Sequence, residues 1–330
     1  MADPNRGARF VFVGGAARSG TTLVQNMLDS HPDIYGAPEF LHIPDIISLR
    51  KTLRYSIDHK WIDLICSYED VDRHICSLIE SFLYPLAEQS GCRLLSEKTP
   101  NNILVFPELI SLFPGARFIH VVRDPRAIIA SMLQVGKRAK QRGWQTQDYT
   151  HSVSAAIDYI HQCFKTGFVS SEIAPERVIE VVYERLVADP EHETRRICEF
   201  LKVEWSTRML RPGELKHPGE RAVTNNVWYD TKSYNRNPEP YEVDKWRSQL
   251  SRMQEFMIVG NFSADKDLRR LGVDLANSHY SWMDRTLNGM LATASHGSHK
   301  VVHKIVALAR SSRRKVSEGF RVLSRIGDSK

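Results

Sequence analysis

The sequence predicts an α/β fold, a parallel sheet flanked by helices on both faces, with a helical insertion and a basic helical C-terminal tail. Three observations carry that expectation. Short apolar runs rich in β-branched or aromatic residues, at 10–13, 118–122 and 178–182, each lead into a segment with helical spacing, the pattern of buried parallel strands followed by crossover helices. The first run ends in a glycine-rich turn that opens a helix. The composition, 42% hydrophobic and 25% charged over 330 residues, is that of a chain with a sizeable core.

Element by element, the strand at 10–13 passes through the turn at 14–20 into a helix over 21–28, with Leu23, Met27 and Leu28 on its buried face. A weaker fourth strand is expected at 93–96. The strand at 118–122 leads into a helix over 125–133, whose proline stands in the first turn, where a missing N–H is harmless. The strand at 178–182 leads to a helix over 190–201 with Ile197, Phe200 and Leu201 inward. Residues 39–90 read as an all-helical insertion and 147–171 as another long helix. Residues 206–241 are rich in Pro, Asn, Gly and Tyr without a period, so they predict a long loop over the functional face, after which 244–256 returns to helix. The expected organisation is one domain over 1–280 and a tail over 281–330. No internal repeat and no low-complexity tract interrupts it.

The net charge is +6. Residues 281–330 hold ten Lys and Arg against three Asp and Glu, leaving −1 for residues 1–280. A basic tail on a near-neutral body gives no ground for a nucleic-acid partner. In the tail, Val301, Ile305, Leu308 and Ala309 share one helical face, and Val316, Phe320 and Leu323 continue the stripe. Such a segment can dock on the body or lie on an anionic membrane surface. The five cysteines are irregularly spaced with no CxxC pair, which speaks against a disulfide framework or a zinc site and for a reducing compartment. No metal is expected. The N-terminus has no basic segment followed by an apolar run, and no stretch approaches the roughly 18 apolar residues of a membrane span; the expected location is cytoplasmic, with peripheral membrane contact through the tail as an option.

The strongest local signal is strand–Gly14-Gly15-Ala16-Ala17-Arg18-Ser19-Gly20-Thr21-Thr22–helix, a P-loop-type turn. Glycines let successive N–H groups point at an anion, the helix N-terminus adds its positive dipole end, and the hydroxyls of Ser19, Thr21 and Thr22 can donate further. A nucleoside-triphosphate loop would place lysine after Gly20; Thr21 stands there, and the nearest cation, Arg18, lies inside the turn. A second landmark, Val121-Val122-Arg123-Asp124-Pro125-Arg126 followed by Ser131, lies at the end of a predicted strand, where open α/β sheets place ligands. Arg123 and Ser131, two helical turns apart, can face one phosphate, and arginine matches phosphate bidentately.

These segments resemble those of a known family. Ala17 to Leu23, then Met27-Leu28-Asp29-Ser30-His31-Pro32, is similar to the 5′-phosphosulfate segment of sulfotransferases dependent on 3′-phosphoadenylyl sulfate (PAPS), nearest their bacterial and protein-tyrosine branch. The resemblance implies that Arg18, Ser19, Gly20, Thr21 and Thr22 hold the 5′-phosphosulfate, with Arg18 on the bridging or sulfuryl oxygens, and that Arg123 and Ser131 take the 3′-phosphate. Tyr183, in Tyr183-Glu184-x-Leu186, would contact the adenine or 3′-phosphate end, and Lys245, in Lys245-Trp246, would help close over the donor. Glu39 stands where this branch carries its catalytic glutamate; His42 is the rival base, since other branches use histidine. Lys98, in Ser96-Glu97-Lys98-Thr99-Pro100, resembles the family lysine that neutralises leaving oxygens. The resemblance covers about residues 8–255.

The implied reaction moves a sulfuryl group from PAPS to a hydroxyl and releases adenosine 3′,5′-bisphosphate. The protein-tyrosine branch carries basic residues two and six positions after its glutamate, to read acidic peptides. Leu41 and Asp45 stand there, which favours a sugar, glycolipid or other small hydroxyl acceptor over a protein tyrosine. Two competing readings are a nucleotide kinase with a degenerate phosphate loop and a nucleotide-binding protein without catalysis.

Overall fold

The structure, a computed structural model, describes residues 3–222, 226–229, 234, 236–239, 243–273 and 275. Five strands frame it: β1 (Phe10–Gly15), β2 (Ile34–Ala37), β3 (Leu94–Lys98), β4 (Arg117–Val122) and β5 (Val178–Val182). They lie in the order β2-β3-β1-β4-β5, every neighbouring pair parallel. All six residues of central β1 are buried, as expected of a parallel strand covered on both faces.

The strand missing from the sequence-based reading is β2. It is a four-residue edge strand containing Gly36, too short and too glycine-rich to show a period. Its position is fixed from outside: the Gly36 N–H donates to the Asp29 carboxylate at 2.6 Å, and Ile34 and Gly36 register against Leu94 and Ser96 of β3.

The α-helices up to Leu201 are α1 (Thr21–Asp29), α2 (Ile43–Asp58), α3 (Tyr68–Gln89), α4 (Phe106–Leu112), α5 (Pro125–Gln141), α6 (Val153–Ile173), α7 (Tyr183–Ala188) and α8 (Pro190–Leu201). The insertion expected at 39–90 is the pair α2 and α3. Ser67 starts α3 with a capping box, its side chain accepting from the Asp70 N–H while Asp70 accepts from the Ser67 N–H, two otherwise orphan donors satisfied together. Helix α5 runs well beyond residue 133, to the turn at Gly143, whose φ of +67° stops it. The helix expected at 147–171 begins only at Val153, because Ser152 caps it by accepting from the Ala155 N–H. The helix expected over 244–256 is two elements: a 3₁₀ turn, Lys245–Ser248, and a helix, Arg252–Phe262.

Leu23, Met27 and Leu28 of α1 share one buried cluster with Val11 and Val13 of β1 and Ile197 and Leu201 of α8. The described chain divides into two compact units. One holds residues up to Ser251 with Arg269–Val273, and so all five strands; the other contains Arg252–Leu268. The amphipathic stripe expected in the tail lies outside the described residues. Among the described residues no helix is long and apolar enough to cross a membrane, and the five cysteines are free.

His120 of β4 is fully buried, with no hydrogen-bond partner for either ring nitrogen among the described residues, and burial pushes it down to about 4, so it is a neutral core side chain. It fits because Gly167 of α6 leaves room: a Cβ there would come within 2.2 Å of the imidazole. Gly→Ala inside a helix ordinarily stabilises by about 1 kcal/mol. Gly167→Ala should instead lower the unfolding free energy by about 1–3 kcal/mol, the cost of overpacking; urea denaturation showing a gain would contradict this packing.

Candidate active site

β1 sends the chain toward β2 on one side of the sheet, and β4 sends it toward β5 on the other. A crevice therefore opens beyond the C-terminal ends of β1 and β4, the switch point where open α/β sheets bind ligands. The loop leaving β1 fills one side of it. Gly20 closes that loop at φ +102° as the N-cap of α1, and a Cβ there would lie 2.2 Å from the Tyr183 ring, so both conformation and space require glycine. Arg18 also has a positive φ, 75°. No side chain caps α1, which leaves its first-turn N–H groups for an anion. Ser19 is buried, and its hydroxyl has no hydrogen-bond partner among the described residues.

Arg123 leaves the end of β4 on the other side. Its guanidinium lies 4.0 Å over the Tyr183 ring and donates to the Arg18 carbonyl at 3.2 Å. Its buried Nε has no hydrogen-bond partner among the described residues; the nearest acid, Glu184, is 4.0 Å away. Arg18 reaches the same side: its Nε donates to the Ser131 hydroxyl at 3.0 Å and its Nη1 to the Trp228 carbonyl at 2.5 Å. The sequence put Arg18 at the sulfuryl group and Ser131 at the far phosphate. The structure joins the two directly, with Arg18 bridging the halves of the site. Burial, together with the nearby cations Arg138 and Arg123, pulls Arg18 down to about 10, still charged at neutral pH.

At the other end of the loop stands Lys98, the last residue of β3, 2% exposed. Its ammonium donates to the Thr22 hydroxyl and to the Tyr229 hydroxyl, both at 3.3 Å, and to the Glu39 carboxylate. Tyr229 also donates to Glu39. Burial opposes charge on Lys98, but the Tyr229 and Glu39 oxygens outweigh it and hold the ammonium above its ordinary value. Burial raises the Tyr229 phenol, keeping it protonated at neutral pH. Glu39 lies between β2 and α2, outside any helix. His42 is the N-cap of α2, exposed and paired with Asp45 at 3.3 Å, and it does not line the cleft.

The cleft enclosed by these groups holds about 240 Å³, with Tyr149, Tyr183, Trp228, Tyr229 and Tyr234 in its walls. Lys245 is exposed and outside its lining, while its neighbour Trp246 is buried with Ala127 and Ala130 of α5 and stacks under Arg126 at 4.3 Å. Tyr229, Trp228 and Arg236 were not singled out from the sequence. They sit in the aperiodic stretch at 206–241, whose richness in Pro, Asn, Gly and Tyr predicted a loop over this face without marking any one residue.

The family model described as "Sulfotransferase family" matches residues 11–207, a span that includes both anion loops, Glu39 and Lys98. The chain belongs to the sulfotransferase family. It is 30% identical over 276 residues to protein-tyrosine sulfotransferase A of Caenorhabditis elegans, covering 82% of this chain and 68% of that one. It is 31% identical over 253 residues to the protein-tyrosine sulfotransferase of Drosophila melanogaster, covering 74% of this chain and 48% of that one. The fold is shared with the sulfotransferase domain of the Synechococcus PCC 7002 olefin synthase, at TM-score 0.51, 21% identity, 80% of this chain and 98% of that one.

In this sulfotransferase the placement of Glu39 depends on a residue the sequence did not flag. Glu97 precedes Lys98 on β3, so the two side chains leave opposite faces of the strand. The Glu97 carboxyl is 1% exposed; it accepts from the Phe40 N–H at 2.9 Å, the Thr99 hydroxyl at 2.8 Å and the Asn102 amide. It thereby pins the residue after Glu39. Burial, opposed by those donors, raises it to about 7 from its ordinary 4.5. A carboxyl raised on folding binds its proton more tightly in the folded state, so its contribution to stability falls as pH rises from about 4.5 to about 7 and then levels off. Glu97→Gln keeps the shape, and Asn102, whose Oδ1 has no partner among the described residues, can turn to meet the new amide. The variant should lose that decline, read as melting temperature against pH; an unchanged profile would show that Glu97 does not titrate in this window.

Proposed function

We propose that this sulfotransferase takes a sulfuryl group from PAPS and delivers it to a phenolic hydroxyl, with Glu39 as general base and Lys98 as the cation at the reacting oxygens. One observation carries the reading: Lys98 joins the end of the phosphate loop, at Thr22, to the Glu39 carboxylate. The residues fit a nucleotide with phosphates on both the 5′ and 3′ sides. The loop and the uncapped α1 terminus make one cradle; Arg123 and Ser131 lie at the second. The buried Ser19 hydroxyl and Arg123 Nε, without a hydrogen-bond partner among the described residues, are donors a bound anion would complete, since buried polar groups are ordinarily paired.

The donor supplies an activated sulfur–oxygen bond, and the chain's residues do the rest. Glu39 accepts the acceptor proton, a contribution of about 10²–10⁴ in rate for a positioned base. Lys98 holds positive charge beside Thr22, where the loop ends, and so stabilises charge developing on the oxygens nearest it. Arg18 and Arg123 orient and neutralise the nucleotide through charge-assisted bonds. The transfer itself is an in-line displacement.

For the acceptor, the aromatic walls suit a planar phenol, and the tyrosine-specific names of the relatives support one. Leu41, 60% exposed, and the exposed Asp45 offer no cation near Glu39 to an acidic peptide. The reading is therefore a phenol without acidic flanks; the relatives named above are tyrosine-specific and lend no support to a carbohydrate or glycolipid.

Calorimetry with adenosine 3′,5′-bisphosphate and with ATP, followed by transfer assays on 4-nitrophenol and a tyrosine peptide, tests this. Bisphosphate should bind and ATP should not compete. Arg123→Ala should weaken bisphosphate binding by about 10–100-fold, as expected for lost hydrogen bonds to a charged group. Glu39→Gln should bind it as the parent chain does and lose about 10²–10⁴ in transfer. Equal binding losses in both variants would refute these roles.

A further inference from the structure

The Glu39 carboxylate already has a phenol bound to it, and that phenol belongs to the chain. The Tyr229 hydroxyl donates to Glu39 and accepts from Lys98 at 3.3 Å, while Lys98 reaches the phosphate loop through Thr22 at 3.3 Å. Of the other cleft tyrosines, the Tyr183 hydroxyl accepts from Arg236 at 3.3 Å, Tyr149 stacks on Tyr159 at 4.2 Å, and Tyr234 meets the Tyr229 ring edge-on at 5.2 Å. The backbone leading to Tyr229 is fastened on the same wall, the Val227 carbonyl to Arg138 Nε at 2.9 Å and the Trp228 carbonyl to Arg18. Tyr229 therefore presents its oxygen as an external phenol would have to present its own, hydrogen-bonded to the base and beside the cation.

We propose that Tyr229 is itself an acceptor, so that the chain, given its donor, sulfates its own Tyr229. This rests on the assignment of Glu39 as base. In the step, Glu39 takes the Tyr229 proton, the phenolic oxygen forms a bond to sulfur, and the bond between sulfur and the 5′-phosphate oxygen breaks. The electron pair of that bond leaves with adenosine 3′,5′-bisphosphate, and the proton passes from Glu39 to solvent. Nothing is oxidised or reduced. The neighbouring anchors make the reaction intramolecular, which replaces the entropy of binding a separate phenol. The ester that forms cannot donate to Glu39 and carries a negative charge facing that carboxylate. It therefore leaves the seat, and the cleft becomes open to an external phenol.

The test uses the full chain with PAPS and no added acceptor, read by intact mass and peptide mapping. The expected result is one SO₃ gained per chain, on Tyr229, at a rate independent of chain concentration and absent in Glu39→Gln. A chain that sulfates 4-nitrophenol but leaves Tyr229 unmodified overturns the proposal and leaves the functional reading standing. A chain that binds bisphosphate and sulfates neither overturns both. A second measurement needs no turnover: in the donor-free chain, nitration by tetranitromethane should spare Tyr229 relative to Tyr55, which is 53% exposed, and Glu39→Ala should remove that protection. Equal labelling of Tyr229 and Tyr55 in the parent chain would show that the seat is not held, and would overturn the proposal.

Discussion

An ammonium group almost wholly withdrawn from water at the end of β3 governs the arrangement around it. A buried charge is tolerated only where it is paired and hydrogen-bonded, and Lys98 has three oxygen partners, each from a different part of the chain: Thr22 from α1, Glu39 from the link after β2, and Tyr229 from the aperiodic loop. Those partners must converge for the fold to bury Lys98. The edge strand β2, held through Gly36 to Asp29, and the Glu97 carboxyl, held to the Phe40 N–H, bring Glu39 to that point. The stability of the sheet edge and the geometry of the chemistry are thus one problem with one solution.

A second constraint concerns positive charge. Arg18, Arg123, Arg138 and Arg236 crowd one another closely enough that the three neighbours each disfavour the charged form of Arg18. Among the described residues the acid that approaches Arg123 is Glu184, at 4.0 Å. Like charges gathered in a partly buried cleft are costly in isolation and favourable once an anion enters. The same cleft is walled in part by aromatic rings.

Much of this was legible in the sequence because it is local. The four runs read as strands, the glycine-rich turn and Arg123 at its strand end follow from patterns a few residues long; Lys98 and Glu39 came from the family resemblance; the structure sets them around one crevice. What escaped depends on distant partners. Four residues of β2 carry too little periodicity to declare a strand. Glu97 drew no reading from the sequence, because its three donors come from residues 40, 99 and 102. Tyr229 lies in a stretch with no period, and its meaning appears only when Glu39, 190 residues away in sequence, is brought beside it. Lys245 was read as part of a helix and a donor contact; the buried Trp246 turns the backbone into a 3₁₀ turn and leaves the lysine at the surface.

The Tyr183 ring has Gly20 against it on the phosphate-loop side and the Arg123 guanidinium 4.0 Å from its centre. It is buried, and its thickness separates the phosphate loop from the Arg123 guanidinium much as a gauge block sets the jaws of a caliper. On the proposed reading, the donor is selected on the distance between its phosphates as well as on their charge.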